Sequence, residues 1–170
     1  MNALTPTTPI LILKKSDNKL NTRLCVFALL WALITAFIFA NSIQTADISN
    51  ARSHSISDWL YRFSFFSNMM TEDVFHRFIR KTAHFTEFCA LGICVGGFTC
   101  NLGKLKNEKY ISLPMLITLG TAVCDEFIQR FTGRTSSVKD VLIDFAGALC
   151  GIIFTWIISS IIRRRKNGKA

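Results

Sequence analysis

RKTAHFTEFCALGICVGGF, residues 80–98, and VCDEFIQRFTGRTSSVKDVLIDFAGALCG, residues 123–151, are the stretches that decide the fold. Both are apolar enough to enter a bilayer, and both carry ionisable or strongly polar side chains. The first holds Arg80, Lys81, His84 and Glu87. The second holds Asp125, Glu126, Gln129, Arg134, Ser136, Asp140 and Asp144. Ionisable groups at membrane depth are expensive, so they persist mainly where they face a bundle interior or a wet cavity and serve a function. These residues are therefore the candidate site.

Around them the chain reads as an all-α, polytopic membrane four-helix bundle. Half of its 170 residues are hydrophobic, 18% are charged and the mean hydropathy is +0.34. The apolar residues fall into four blocks, at about 24–40, 83–100, 111–128 and 138–162. Each approaches the roughly 17–25 residues that cross a hydrocarbon core as a helix. A soluble alternative would need four long core helices in one small domain, with no polar face on the first and fourth. The domain layout is then a basic tail at 1–23, a transmembrane domain at 24–162 and a basic tail at 163–170. The first block has a basic lead-in like a signal peptide. Its 17-residue apolar core exceeds the usual ~7–15 residues, which makes it an uncleaved helix.

The net charge of +9 does not indicate nucleic-acid binding, because the basic residues gather beside the ends of the blocks. Alternate ends hold 12 Lys and Arg, among them Lys14, Lys15, Arg23, Lys104, Lys109 and the Arg163–Lys166 run; the opposite loops hold 8. The positive-inside rule places both termini in the cytoplasm, beside an anionic inner leaflet. The six cysteines lie within or at the edges of apolar blocks without Cys-x-x-Cys spacing, as expected for small buried hydrophobes rather than zinc ligands.

Local signals refine the picture. Residues 1–13 lack periodicity and are expected to form a loose tail. Ile56, Trp59, Leu60, Phe63 and Phe66 recur at helical spacing in the long first loop, which predicts an amphipathic helix at the interface. Thr71 followed by Glu72 and Asp73 predicts a helix start, and Ser137 with Asp140 predicts a capping box. Pro114 is tolerated in a first turn.

At roughly 100° per residue, three stripes emerge. They are Arg80, His84, Glu87 and Leu91; Thr118, Ala122, Asp125 and Gln129, with Glu126 beside them; and Asp140, Asp144, Gly147 and Gly151. The orientation brings all three to the outer ends of the second, third and fourth helices. Gly147-x-x-x-Gly151 is a close-packing pattern on the face that carries both aspartates, and Gly92-x-x-x-Gly96 offers a second one. His84 with Glu87 is a candidate acid/base pair. Asp125, Glu126, Asp140 and Asp144 are candidates for metal binding or water positioning. Arg80, Lys81, Arg130 and Arg134 suit a phosphate or carboxylate. No Gly-x-Ser-x-Gly and no P-loop occurs.

These residues resemble the VanZ-like family of small bacterial membrane proteins. The likeness rests on Arg80-Lys81-x-x-His84-Phe85-x-Glu87-Phe88, on Asp125-Glu126-x-x-Gln129, on Phe131-Thr132-Gly133-Arg134, and on Ser136, Asp140-Val141, Asp144 and Gly147. Asn41-Ser42 with Gln44, then Ser53 and Ser57, match a serine-containing segment more loosely, and Phe88 stands where tyrosine is common. The likeness covers most of residues 24–160. It implies a cell-envelope setting and a link to susceptibility to the glycopeptide teicoplanin; most members have no defined activity, and no cofactor follows. The expected partners are the bilayer and an anionic lipid-linked or cell-wall ligand bound or processed at an outer-facing site. The rival expectations are a structural protein whose polar residues only fix helix packing, and a small ion- or proton-coupled transporter. Four helices are few for the latter unless the chain forms a homo-oligomer.

Overall fold

The computed structural model describes residues 8–44, 71–134 and 136–168. They form four helices: α1 (Thr8–Ile43), α2 (Glu72–Lys106), α3 (Ser112–Phe131) and α4 (Val138–Asn167). No strand occurs among the described residues. The four apolar blocks thus become four helices, each longer than its block. The amphipathic helix expected in the first loop lies outside the described residues.

Helix α1 begins at Thr8, so part of the expected loose tail is helical. Pro9 falls in the first turn, where its missing donor costs nothing, and neither Pro nor Gly interrupts the sequence from there to Ile43. Helix α2 starts at Thr71 as expected. There the main-chain carbonyl of Thr71 accepts from Val74 N and Phe75 N at 3.0 and 3.1 Å, while its side chain makes no capping bond. Asn107 ends α2 in the left-handed region at φ 53°, and both its N–H and that of Glu108 bond to the Gly103 carbonyl. Asn visits this conformation more cheaply than most residues. Gly133, at φ 76°, lets α3 close with Arg134 N bonded to Gln129 O at 3.2 Å.

Among the described residues, three helices are long and apolar enough to cross a membrane: Asn18–Ile43 of α1, Glu72–Lys106, and Val138–Arg165 of α4. Helix α3 has the distribution of a lipid-facing helix despite its acidic residues. Leu116, Leu119, Val123 and Phe127 are exposed, Leu116 by 65% and Phe127 by 62%, whereas Asp125 is 0% exposed. Glu126 and Gln129 are also buried. A water-soluble helix places these residue types the other way round.

The apolar core is small: Ile38, Phe88, Leu91, Val95, Ala122 and Ala148, flanked by Trp31, Ile34, Phe39, Ile117 and Val141. In lipid no hydrophobic drive pulls helices together, so close packing must do so. Helices α2 and α4 meet through glycine on both sides. A Cβ placed on Gly147 would overlap the Phe85 carbonyl, one on Gly151 the Cys89 carbonyl, and one on Gly92 the Ala148 carbonyl. At Gly96 it would press on Thr155. Both small-residue patterns read from the sequence therefore serve the same seam. Farther along, Gly97 accepts the Phe27 ring of α1, and Trp31 lies 5.7 Å from Phe98 between ring centroids.

None of the six cysteines is fully buried, and all are free. Cys25, Cys124 and Cys150 are exposed. This corrects the expectation of buried thiols: a small apolar side chain suits a lipid-facing surface as well as a core.

Candidate functional site at the convergent helix ends

The end of α1, the first half of α2, the end of α3 and the start of α4 meet at one end of the bundle. Asp125 is the deepest element. It accepts hydrogen bonds from the Ser42 hydroxyl of α1 and, at 2.8 Å, from Gln129 Nε2 one turn along α3. All three residues are buried. Thr132 extends the link by donating to the carbonyls of Gln129 and Ser42, at 2.9 and 3.2 Å.

His84 of α2 faces this group. Its Nδ1 lies 3.9 Å from Asp125 Oδ2 and 3.8 Å from Asp144 Oδ1, within ion-pair range but too far for a hydrogen bond. Asp144 is 1% exposed, and its Oδ2 has no hydrogen-bond partner among the described residues; His84 Nδ1 has none either. The sequence pairing of His84 with Glu87 is not formed. Although the two residues share a stripe of α2, Glu87 engages α1 instead, where its Oε1 accepts from Asn41 Nδ2 at 3.3 Å. The carboxylates nearest the imidazole come instead from α3 and α4.

Glu126 belongs to the α3–α4 turn. It accepts, at 3.2 Å, from the Ser137 main-chain N–H. This alters the expected capping box. Ser137 does cap α4, its Oγ accepting from Asp140 N at 3.3 Å and donating to Asp140 Oδ2 at 2.8 Å. However, its own N–H is taken by Glu126 rather than by Asp140. Asp140 also pairs with Lys81 of α2, at 3.2 Å.

A small cavity of about 20 Å³ opens among these groups, lined by Arg80, Lys81, His84, Glu126, Gln129, Asp140, Ile143 and Asp144. That is room for about one water or ion. Its wall grades from wet to dry: the Lys81 side chain is 44% exposed and that of Asp144 only 2%. A basic rim thus overlies an acidic floor. Such a floor can exchange a proton with His84 or hold a cation, and the rim can grip an anion.

Seven of the eleven proposed site residues line the cavity. Asp125 lies beside it through His84 and Gln129. Glu87 and Arg134 act as struts, Arg134 Nη1 reaching the Asn41 carbonyl at 3.4 Å, whereas Ser136 is exposed and does not line the cavity. Arg130 is exposed and does not line the cavity. Helix α1 is the wall that the three stripes did not include. Its Asn41 and Ser42 were signalled only by the loosely matched serine-containing segment, and they are also the polar residues that follow the first apolar block.

The sequence model of the family described as VanZ/LLP1 matches residues 26–159. No curated protein and no solved structure matches the chain.

Proposed function

We propose, for a chain that belongs to the VanZ/LLP1 family of membrane proteins, that its polar pocket binds an anionic cell-envelope amphiphile at the outer face of the bacterial inner membrane. Through that binding it alters susceptibility to the glycopeptide teicoplanin. The observation that carries this reading is a cavity with Arg80 and Lys81 on its wall in a bundle whose outer surface is apolar. An acyl chain can lie along the exposed leucines and phenylalanines of α3 and α4 while its headgroup rests on the Arg80 and Lys81 rim at the helix ends. Charge-assisted hydrogen bonds from Arg are the strong way to hold phosphate or carboxylate.

Arg80→Gln is expected to lose most retention of phosphatidylglycerol relative to phosphatidylcholine, read by native mass spectrometry of protein taken from mixed nanodiscs. It should also abolish any teicoplanin phenotype at unchanged protein abundance. Undiminished lipid retention in this variant would remove the proposal.

The Ser42–Asp125–Gln129 chain favours a second, complementary role: fixing the register of α1 against α3. A pairing of buried polar groups that excludes other registers is an accepted use of such networks.

The outer placement requires both termini to be cytoplasmic. In a background with the native cysteines replaced, Ser136→Cys is expected to react with an impermeant maleimide on intact cells and Asn107→Cys only after lysis. The reverse pattern would put the pocket on the cytoplasmic side.

A further inference from the structure

We infer that His84, Asp125 and Asp144 form a binding site for one divalent transition cation, of the Mn²⁺ or Zn²⁺ class. Their ligand atoms, one from each of α2, α3 and α4, all lie within 4.8 Å of one another. Metal–ligand bonds of about 2.0–2.2 Å keep any two ligands of one ion within about 4.4 Å. The His84 separations of 3.8 and 3.9 Å already meet that limit, and the remaining pair needs at most a few tenths of an ångström of closure.

Independent of the cluster itself, Asp144 is buried with Oδ2 unpartnered and lines the cavity. A buried charged oxygen is ordinarily paired or coordinated to a metal. The cations nearby are otherwise engaged or peripheral: Lys81 pairs with Asp140, and Arg134 reaches the Asn41 carbonyl. Gln129 holds Asp125 Oδ2 by a 2.8 Å hydrogen bond, the kind of outer support that fixes a ligating carboxylate. One imidazole and two carboxylates suit Mn²⁺ or Zn²⁺ better than Ca²⁺, which takes six to eight oxygens. Three protein ligands beside a small cavity leave an open position, as in metal sites that bind a further ligand.

The ion also resolves an electrostatic conflict. An acidic floor beneath a basic rim would repel an anionic headgroup, and a divalent ion on that floor would attract it. The site stands on its own geometry; only this last role rests on the function proposed above.

The test uses the full-length protein in detergent, stripped with EDTA and titrated with Mn²⁺ alone, with free Mn²⁺ read by electron paramagnetic resonance. Zn²⁺ content is read in parallel by elemental mass spectrometry. Saturable binding of about one ion per chain is expected, with a rise in melting temperature because the ion binds only the folded state. Asp144→Asn and His84→Gln should each weaken binding by at least about a hundredfold, beyond the effect of losing an outer-shell partner. Without metal, Asp144→Asn should melt no lower than the parent, because Asp144 Oδ2 makes no hydrogen bond for the substitution to break. No saturable binding to parent protein that melts cooperatively, or undiminished affinity in a folded Asp144→Asn variant, would overturn the inference. Metal binding without lipid retention would support the cation site and defeat the headgroup reading; lipid retention by a protein that binds no metal would do the opposite.

Discussion

Gly147→Leu is expected to abolish the folded bundle. Added side-chain carbon at this position meets the Phe85 main-chain carbonyl, and main chain in a helix cannot rotate aside as a side chain can. Overpacking a well-filled interior typically costs about 1–3 kcal/mol, and a main-chain collision that separates two helices belongs at or beyond the upper end. The loss would spread, because α2 and α4 also touch at Gly92, Gly96 and Gly151, and displacing one contact opens the others. The expected readout is disappearance of the monodisperse gel-filtration peak and of cooperative thermal unfolding. Gly120→Ala is the matched control. Nothing lies within 4 Å of its would-be Cβ, and alanine in a helix is favoured over glycine by about 1 kcal/mol, so this variant should be as stable as the parent or more so. Equal stability of the two variants would show that the α2–α4 seam does not hold the bundle.

Asp125→Ala should cost about 3 kcal/mol or more, with a large fall in melting temperature. The substitution leaves the Ser42 hydroxyl and the Gln129 amide buried without their acceptor. Each orphaned buried group costs about 1–3 kcal/mol, and the vacated volume adds to that. Asp125→Asn keeps the volume and one acceptor oxygen and should cost less. The contrast with Asp144→Asn is informative, since Asp144 Oδ2 has no partner to orphan. Two aspartates 19 positions apart in sequence thus differ in kind: one is tied into the bundle and the other is aimed at a cavity. A small effect of Asp125→Ala would mean that the α1–α3 tie contributes little to stability.

Much of this arrangement was legible in the sequence. Helical periodicity put Thr118, Ala122, Asp125 and Gln129 on one stripe, and these are buried together in α3. The same periodicity put Gly147 and Gly151 beneath Asp144 on the face that meets α2. Such features follow from residue spacing along a single helix, which local geometry fixes before any tertiary contact forms. The helix ends were less legible. Block boundaries came from hydropathy, whereas helix hydrogen bonding continues through polar residues, as at the start of α1, until a cap or a left-handed residue stops it.

What the sequence determined by itself was the class of protein: an all-α membrane protein of four apolar helical blocks carrying polar stripes, of which three helices in the described residues are long and apolar enough to span a membrane. It also determined that the polar stripes have counterparts close in depth, because their positions along each helix set their height. The tertiary structure alone decided the partners. The pitch of one helix says which residues share a face but not which neighbouring face it meets. Only the packing of α2 on α4 turned His84 toward Asp125 and Asp144 and left Glu87 to Asn41, and only the end of α1 supplied the hydroxyl that fixes Asp125.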